Sequence, residues 1–226
     1  MSDGSAVPRA RRSKAEQRAE TLEQILDAAE YLFSKNGLHG VTLRDVAKRV
    51  GVHTTLLHYY FEDKNNLFEA VFARRASVTS ERRVAALDRY EAEAGDNPTV
   101  EGALHAFLDT DLDLYTEGGE GWMNYAAFGA LVSNTPEGAA LMDVHFDPVV
   151  LKLIGILRRA LPDYSDEDIF WGYHFVTGAL MNTLARTGRI DRLSGGVCHS
   201  DDFPAVKARI ARFMAAGFLA LGRREA

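Results

Sequence analysis

One cysteine in 226 residues, Cys198, leaves no partner for a disulfide within the chain and argues for a reducing compartment. No apolar run approaches the roughly 18 residues that would suggest a membrane span. The first residues are polar and basic with no apolar stretch, which argues against a secretory signal. Neither a phosphate-cradling glycine loop nor a nucleophile elbow is present. Strand-like alternation and internal repeats are absent as well. Cys198, His199 and Asp201 share a loop but have no spaced partner pair, so they make a weak zinc site. Asp109, Asp111 and Asp113 stand two residues apart, which puts them on different helix faces. They read as solvated surface rather than as a catalytic acid pair. These absences leave an all-α chain of ordinary globular composition, 46% hydrophobic and 26% charged, with no cofactor expected.

What is present centres on residues 42–64, TLRDVAKRVGVHTTLLHYYFEDK. Leu43, Val46, Ala47 and Val50 repeat at helical spacing and give one apolar face. Thr42 followed by Asp45 is a capping-box pattern. Gly51 suits the left-handed residue that ends a helix. A second helix over about 54–60 turns Leu56, Leu57 and Tyr60 inward and Thr54, Thr55, His58 and Tyr59 outward. Helix, glycine turn and short helix form a helix-turn-helix, whose second helix can enter the DNA major groove.

The pattern T-L-x-x-V-A-x-x-x-G-V-x-x-x-x-L-x-x-Y-F-x-x-K-x-x-L resembles the DNA-binding domain of TetR-family transcriptional regulators over residues 21–72. The remaining residues fit that family only in length and helical character. The resemblance implies DNA contacts from Thr42, Arg44, Thr54, Thr55, His58, Tyr59 and Lys64. Two positions depart from the family pattern: His53 replaces a usual serine and His58 a usual tyrosine. Histidine is a poorer N-cap than serine, so Thr54 is expected to take over that role. At the His58 position the family implies a phosphate contact, which histidine can still make by donating a hydrogen bond.

Three regions follow. Residues 1–15, with Arg9, Arg11 and Arg12, read as a disordered basic arm, either a solvated tail or an added DNA contact. Residues 16–64 form a three-helix DNA-binding domain. Leu22, Ile25, Leu26, Ala29, Leu32 and Phe33 give its first helix a buttressing stripe. Asp63 is the expected cap of the next helix, which places Lys64 in a first turn suited to anions, or as a plain surface lysine. Residues 65–226 form a larger helical effector-binding and dimerisation domain. In it, residues 118–121 read as a loop, Asp147-Pro148 as a helix interruption, and 187–200 as a glycine-rich loop. Charge follows the division. Residues 1–75 carry 12 Lys/Arg against 10 Asp/Glu, and residues 76–226 carry 14 against 22.

The resemblance implies a cytoplasmic homodimer built by the last two long helices, about 169–186 and 205–221. On the final helix Val206, Ile210, Phe213, Met214, Gly217 and Phe218 read as the inner face. Gly178, Ala179, Ala215, Ala216 and Gly217 would allow close approach, either between subunits or within one. The effector-binding candidates are Trp122, Tyr125, Phe128, His145, Phe146, Trp171, His174 and Phe175, since ligand sites combine apolar walls with a few polar groups. The two histidines read as ligand partners, core residues or metal ligands. The functional expectation is a repressor released from a palindromic double-stranded operator by an apolar or aromatic small molecule. Its alternatives are an activator or ligand-independent regulator of the same fold, a helical enzyme, and a protein-interaction module.

Overall fold

A computed structural model describes residues 13–222, and among these every regular element is a helix. The N-terminal unit comprises α1 (Lys14–Asn36), α2 (Leu43–Val50) and α3 (Thr54–Phe61). Ser13 caps α1 in a reciprocal capping box with Glu16, so the last residues of the expected arm are already helical. The rest of that arm, residues 1–12, lies outside the described residues. Ile25, Ala29 and Phe33 of α1, Val46 and Ala47 of α2, and Leu57 of α3 close one small core. Each fully buried large aliphatic or aromatic side chain here is worth about 1.5–3 kcal/mol.

The body comprises α4 (Lys64–Ala94), α5 (Val100–Glu117), α6 (Gly119–Val132), α7 (Pro136–Ala160), α8 (Asp166–Leu184), a short α9 (Arg189–Leu193) and α10 (Phe203–Leu221). Helix α4 runs from the recognition unit into the body and packs on α1, α5 and α7. Helix α10 lies along α5 and α8.

Two clusters stand out among the contacts that join the N-terminal unit to the body. The first is aromatic. Phe128 of α6 is fully buried, with ring centroids 6.0 Å from Phe33, 4.9 Å from Phe68 and 6.1 Å from Phe72. The second is ionic. Glu30 of α1 is buried and accepts from Arg75 Nε at 2.5 Å, Arg75 Nη2 at 3.0 Å and Arg74 Nη2 at 3.0 Å. Arg75 also lies 4.9 Å from the Trp122 ring centroid. Gly121 lets α6 approach this cluster, because a Cβ there would stand 2.3 Å from Arg75 Nη2.

Several expectations are corrected. Residues 118–121 are not an extended loop, since α5 ends at Glu117 and α6 begins at Gly119. Helix α7 runs through Pro148 without a break. Proline removes one hydrogen bond to the carbonyl four residues back. Here that carbonyl belongs to Val144, which like Pro148 lies on the exposed side of α7, where water can replace the missing donor. The 187–200 segment contains α9. On α10 the buried stripe is Phe203, Ile210, Ala211, Ala215 and Phe218, whereas Phe213 is 72% exposed and Gly217 is exposed. Phe213 stands two residues beyond Ala211, about 200° around the helix, so the two cannot share a face.

Candidate DNA interface and effector cavity

The helix-turn-helix is built from local signals. Thr42 Oγ1 accepts from the Asp45 amide at 3.2 Å, while Asp45 Oδ2 accepts from the Thr42 amide at 2.9 Å and its hydroxyl at 2.5 Å. The Thr42 hydroxyl and amide hold the Asp45 carboxyl below its ordinary value. Gly51 closes α2 at φ 81, the left-handed conformation. Replacing Thr42 by alanine is expected to lower stability by about 1 kcal/mol in urea unfolding. The sign of the pH dependence follows from Asp45. Its folded-state value is depressed, so its contribution is present above the unfolded carboxylate value. That contribution is lost as pH falls through the folded one, and the gap between wild type and T42A should narrow there.

Around this frame Arg44, Thr55, His58 and Tyr59 are exposed, Tyr59 by 68%, and Thr54 is half-buried. Thr54 does not act as the cap. His53 is the N-cap of α3, and it makes no side-chain cap bond. Its Nδ1 lies 2.8 Å from Thr55 Oγ1 instead. His58 Nδ1 donates to the Glu62 carbonyl at 2.9 Å. A carbonyl only accepts, so Nδ1 carries the hydrogen and a neutral ring presents Nε2 as an acceptor. Only the protonated ring can then donate to a phosphate.

Asp63 caps α4 by accepting from the Asn66 amide at 2.9 Å. Lys64 is half-buried, and its Nζ donates to the Leu38 carbonyl at 2.8 Å, tying the start of α4 to the α1–α2 connection. Sequence reasoning missed Arg18. Its guanidinium lies 5.4 Å from both the Tyr59 and Tyr60 ring centroids, adding a cation beside the recognition helix. A basic pair, Lys14 and Arg18, four residues apart on α1 was the available signal.

Within the body, α4, α5, α6, α7 and α8 enclose a cavity of about 230 Å³. Its walls include Phe72, Phe107, Tyr115, Tyr125, Phe146 and Tyr173. Arg83 and Asp111 form a buried pair on one wall, with Arg83 Nε donating to Asp111 Oδ1 at 3.0 Å and Nη2 to Oδ2. Asp111 is 1% exposed, which corrects its reading as solvated surface. Burial works most strongly against the Arg83 cation, but the charge and hydrogen bond of Asp111, with smaller help from Tyr115 and Tyr173, together outweigh it and hold the guanidinium above its ordinary value. Burial raises the Asp111 carboxyl against the pull of Arg83. It also lifts the phenols of Tyr115 and Tyr125, which are neutral hydrogen-bonding groups in the working pH range. The Arg83 guanidinium lies 4.1 Å from the Phe107 ring centroid and 5.3 Å from that of Phe146.

The structure divides the expected effector residues into three groups. Tyr125 and Phe146 line the cavity. Trp122, Phe128 and His145 stand behind that wall: Trp122 packs on Arg75 and Tyr125, Phe128 fills the inter-unit core, and His145 lies 5.6 Å from Phe72. Trp171, His174 and Phe175 lie away from the cavity on the outer face of α8. Trp171 is 52% and Phe175 54% exposed, and their rings stack at 5.9 Å. They are exposed because Gly172 and Val176, on the opposite face of α8, are the residues that pack inward. Phe170 of α8 and Phe213 and Leu219 of α10 are exposed apolar side chains as well. Gly178 and Gly217 would place a Cβ in open space, whereas Ala215 is buried within the subunit.

Comparison with known proteins finds matches in two parts of the chain. Residues 25–71 match the family described as bacterial regulatory proteins, tetR family, and residues 105–217 match the tetracyclin repressor-like C-terminal domain. The HTH-type transcriptional regulator BetI of Escherichia coli O157:H7 is 27% identical over 166 residues, spanning 74% of this chain and 83% of that protein. Among solved structures, the fold is similar to the transcriptional regulator FadR from Bacillus subtilis in complex with stearoyl-CoA. The TM-score is 0.57 at 17% identity, covering 87% of this chain and 98% of that one. It is also similar to the TetR family transcriptional regulator PfmR from Thermus thermophilus, at a TM-score of 0.55 and 18% identity, covering 91% and 97%.

Proposed function

Since the chain belongs to the TetR family of transcriptional regulators, we propose that it is a homodimeric repressor whose operator affinity is lowered when a small molecule fills the body cavity. The observation that carries this reading is one helix serving both ends. Helix α4 begins at Lys64, beside the recognition helix, and supplies Phe72, Thr79 and Arg83 to the cavity. A ligand that alters how α4 packs there alters where the recognition unit stands. Residues 16–64 act as the DNA-binding unit and residues 65–226 as the effector and dimerisation unit. Thr42, Arg44, Thr54, Thr55 and Tyr59 face the operator. Lys64 acts mainly by holding the α1–α2 connection, and His58 donates to phosphate when protonated.

Dimerisation through α8 and α10 is supported by the large apolar side chains that each helix exposes, Trp171 and Phe175 on α8 and Phe213 on α10, since exposed apolar surface of this kind marks interaction sites. Two recognition helices about one DNA turn apart then read a palindrome. Ligand and DNA each favour one arrangement, so each lowers the affinity for the other. Coupling of about 1–3 kcal/mol corresponds to about 5–150-fold in operator affinity. Among the described residues no helix is long and apolar enough to cross a membrane.

The test is fluorescence anisotropy with a duplex from upstream of the coding sequence and a scrambled duplex, across a salt series. Selective binding that weakens with salt is expected. Tyr59→Ala is expected to weaken it about tenfold, the loss of one hydrogen bond to phosphate. Equal binding to both duplexes at every salt concentration would overturn sequence-specific recognition of that site.

A further inference from the structure

The charges around the cavity restrict what can fill it, if it is read as the effector site. The charge of Arg83 is balanced by Asp111, which takes its Nε and Nη2 donors, so the pair offers a ligand no net positive charge. The other ionised groups on the wall are Asp143 and Asp147. They are exposed, one turn apart on α7, and neither has a hydrogen bond or ion pair among the described residues. Like charges at this spacing repel, and a cation between them removes the repulsion. A second, independent observation lies deeper in. The Thr79 side chain is 1% exposed and lines the same cavity, and its hydroxyl has no partner at full hydrogen-bond distance, its one polar neighbour in the wall being the Tyr125 phenol, which it helps to hold. A buried hydroxyl without a partner costs on the order of its lost hydration and fits a polar ligand atom. The rings of Phe72, Tyr125 and Phe146, whose faces carry partial negative charge, line the same cavity.

We propose that the effector is an organic amine, protonated at neutral pH, with an aromatic body and a polar atom at its far end. Its ammonium sits between Asp143 and Asp147, its ring lies among Phe72, Tyr125 and Phe146, and its far polar atom pairs with Thr79. The cavity of about 230 Å³ limits the body to a single ring with a short chain, being somewhat larger than the roughly 150 Å³ that holds benzene. Carboxylate and phosphate ligands meet two negative groups and no cation that lacks a counter-charge among the lining residues.

Titration calorimetry on the full-length protein tests this with three compounds sharing one body: tyramine, tyrosol and para-hydroxyphenylacetate. Tyramine is expected to bind about tenfold more tightly than tyrosol, the scale set by two exposed carboxylates, with the carboxylate weakest. In D143N/D147N the ratio of tyramine to tyrosol affinity falls to about one. Phenethylamine, lacking the hydroxyl, binds several-fold more weakly than tyramine, and Thr79→Val removes that difference. Tightest binding by the carboxylate, or an amine preference that survives D143N/D147N, overturns the proposal. Equal binding of tyramine and tyrosol keeps the cavity as a ligand site and overturns the charge preference. Failure of all four compounds to bind overturns both readings.

Discussion

Replacing Asp111 by alanine is expected to destabilise the protein by about 3–5 kcal/mol in equilibrium urea unfolding. Most of that deficit comes from the charge left without its partner, not from the missing ion pair itself. Arg83 is buried, cannot shed its proton in any working pH range, and has both Nε and Nη2 committed to Asp111. Phe107 and Phe146 offer it only ring faces. The sharper test is the double replacement. R83M/D111L removes both charges and fills the same space with apolar atoms, and such exchanges are often neutral or stabilising. Recovery of most of the stability lost in D111A would assign the deficit to the stranded guanidinium. A D111A loss below about 1 kcal/mol would show that the pair is solvated rather than buried.

The second large effect is expected at Phe128. Phe128→Ala should cost about 3–5 kcal/mol, since truncating a fully buried aromatic leaves a void as well as losing its transfer energy. Its position adds a functional consequence. The ring touches Phe33 of α1 and Phe68 and Phe72 of α4, so the void opens at the junction between the recognition unit and the body. F128A is therefore expected to unfold in two separable steps, the N-terminal unit first, where wild type unfolds in one. Hydrogen exchange that is faster across residues 14–61 than in the body would show it. Uniform loss of protection along the chain would refute the idea that this ring couples the two units.

How much of this was visible in the sequence depends on how local its cause is. The helix-turn-helix was legible because its signals lie within a turn of one another: Thr42 with Asp45, Gly51 after Val50, Asp63 before Lys64. Asp111 was not legible, because its burial is decided by Arg83, 28 residues away on another helix, and no spacing rule contains that pairing. Spacing of Asp109, Asp111 and Asp113 correctly separates them onto different faces, but does not say that one of those faces is interior. Trp171 and Phe175 expose a related limit. Helical periodicity finds an apolar face on α8 without saying whether its own subunit covers it. Phe213 was placed inward for the same reason, although Phe218 and Ala215 already fill the inner stripe. Lys64 was legible in position but not in bonding, since the Leu38 carbonyl it binds belongs to a connection whose path the sequence does not specify.

Helix α4 is also a lever arm. From Thr79, at the cavity, to Lys64, at its tip, it spans about 22 Å at 1.5 Å per residue. A pivot of about 5° at the cavity therefore sweeps the tip through about 2 Å. The Lys64 bond to the Leu38 carbonyl means that α4 does not swing alone but carries the α1–α2 connection with it. In a two-fold assembly both arms swing in opposite senses, and the displacement between the paired reading heads doubles to about 4 Å, more than one base-pair step of about 3.4 Å. A small change of shape at the cavity wall can thus put the two heads out of phase with the double helix.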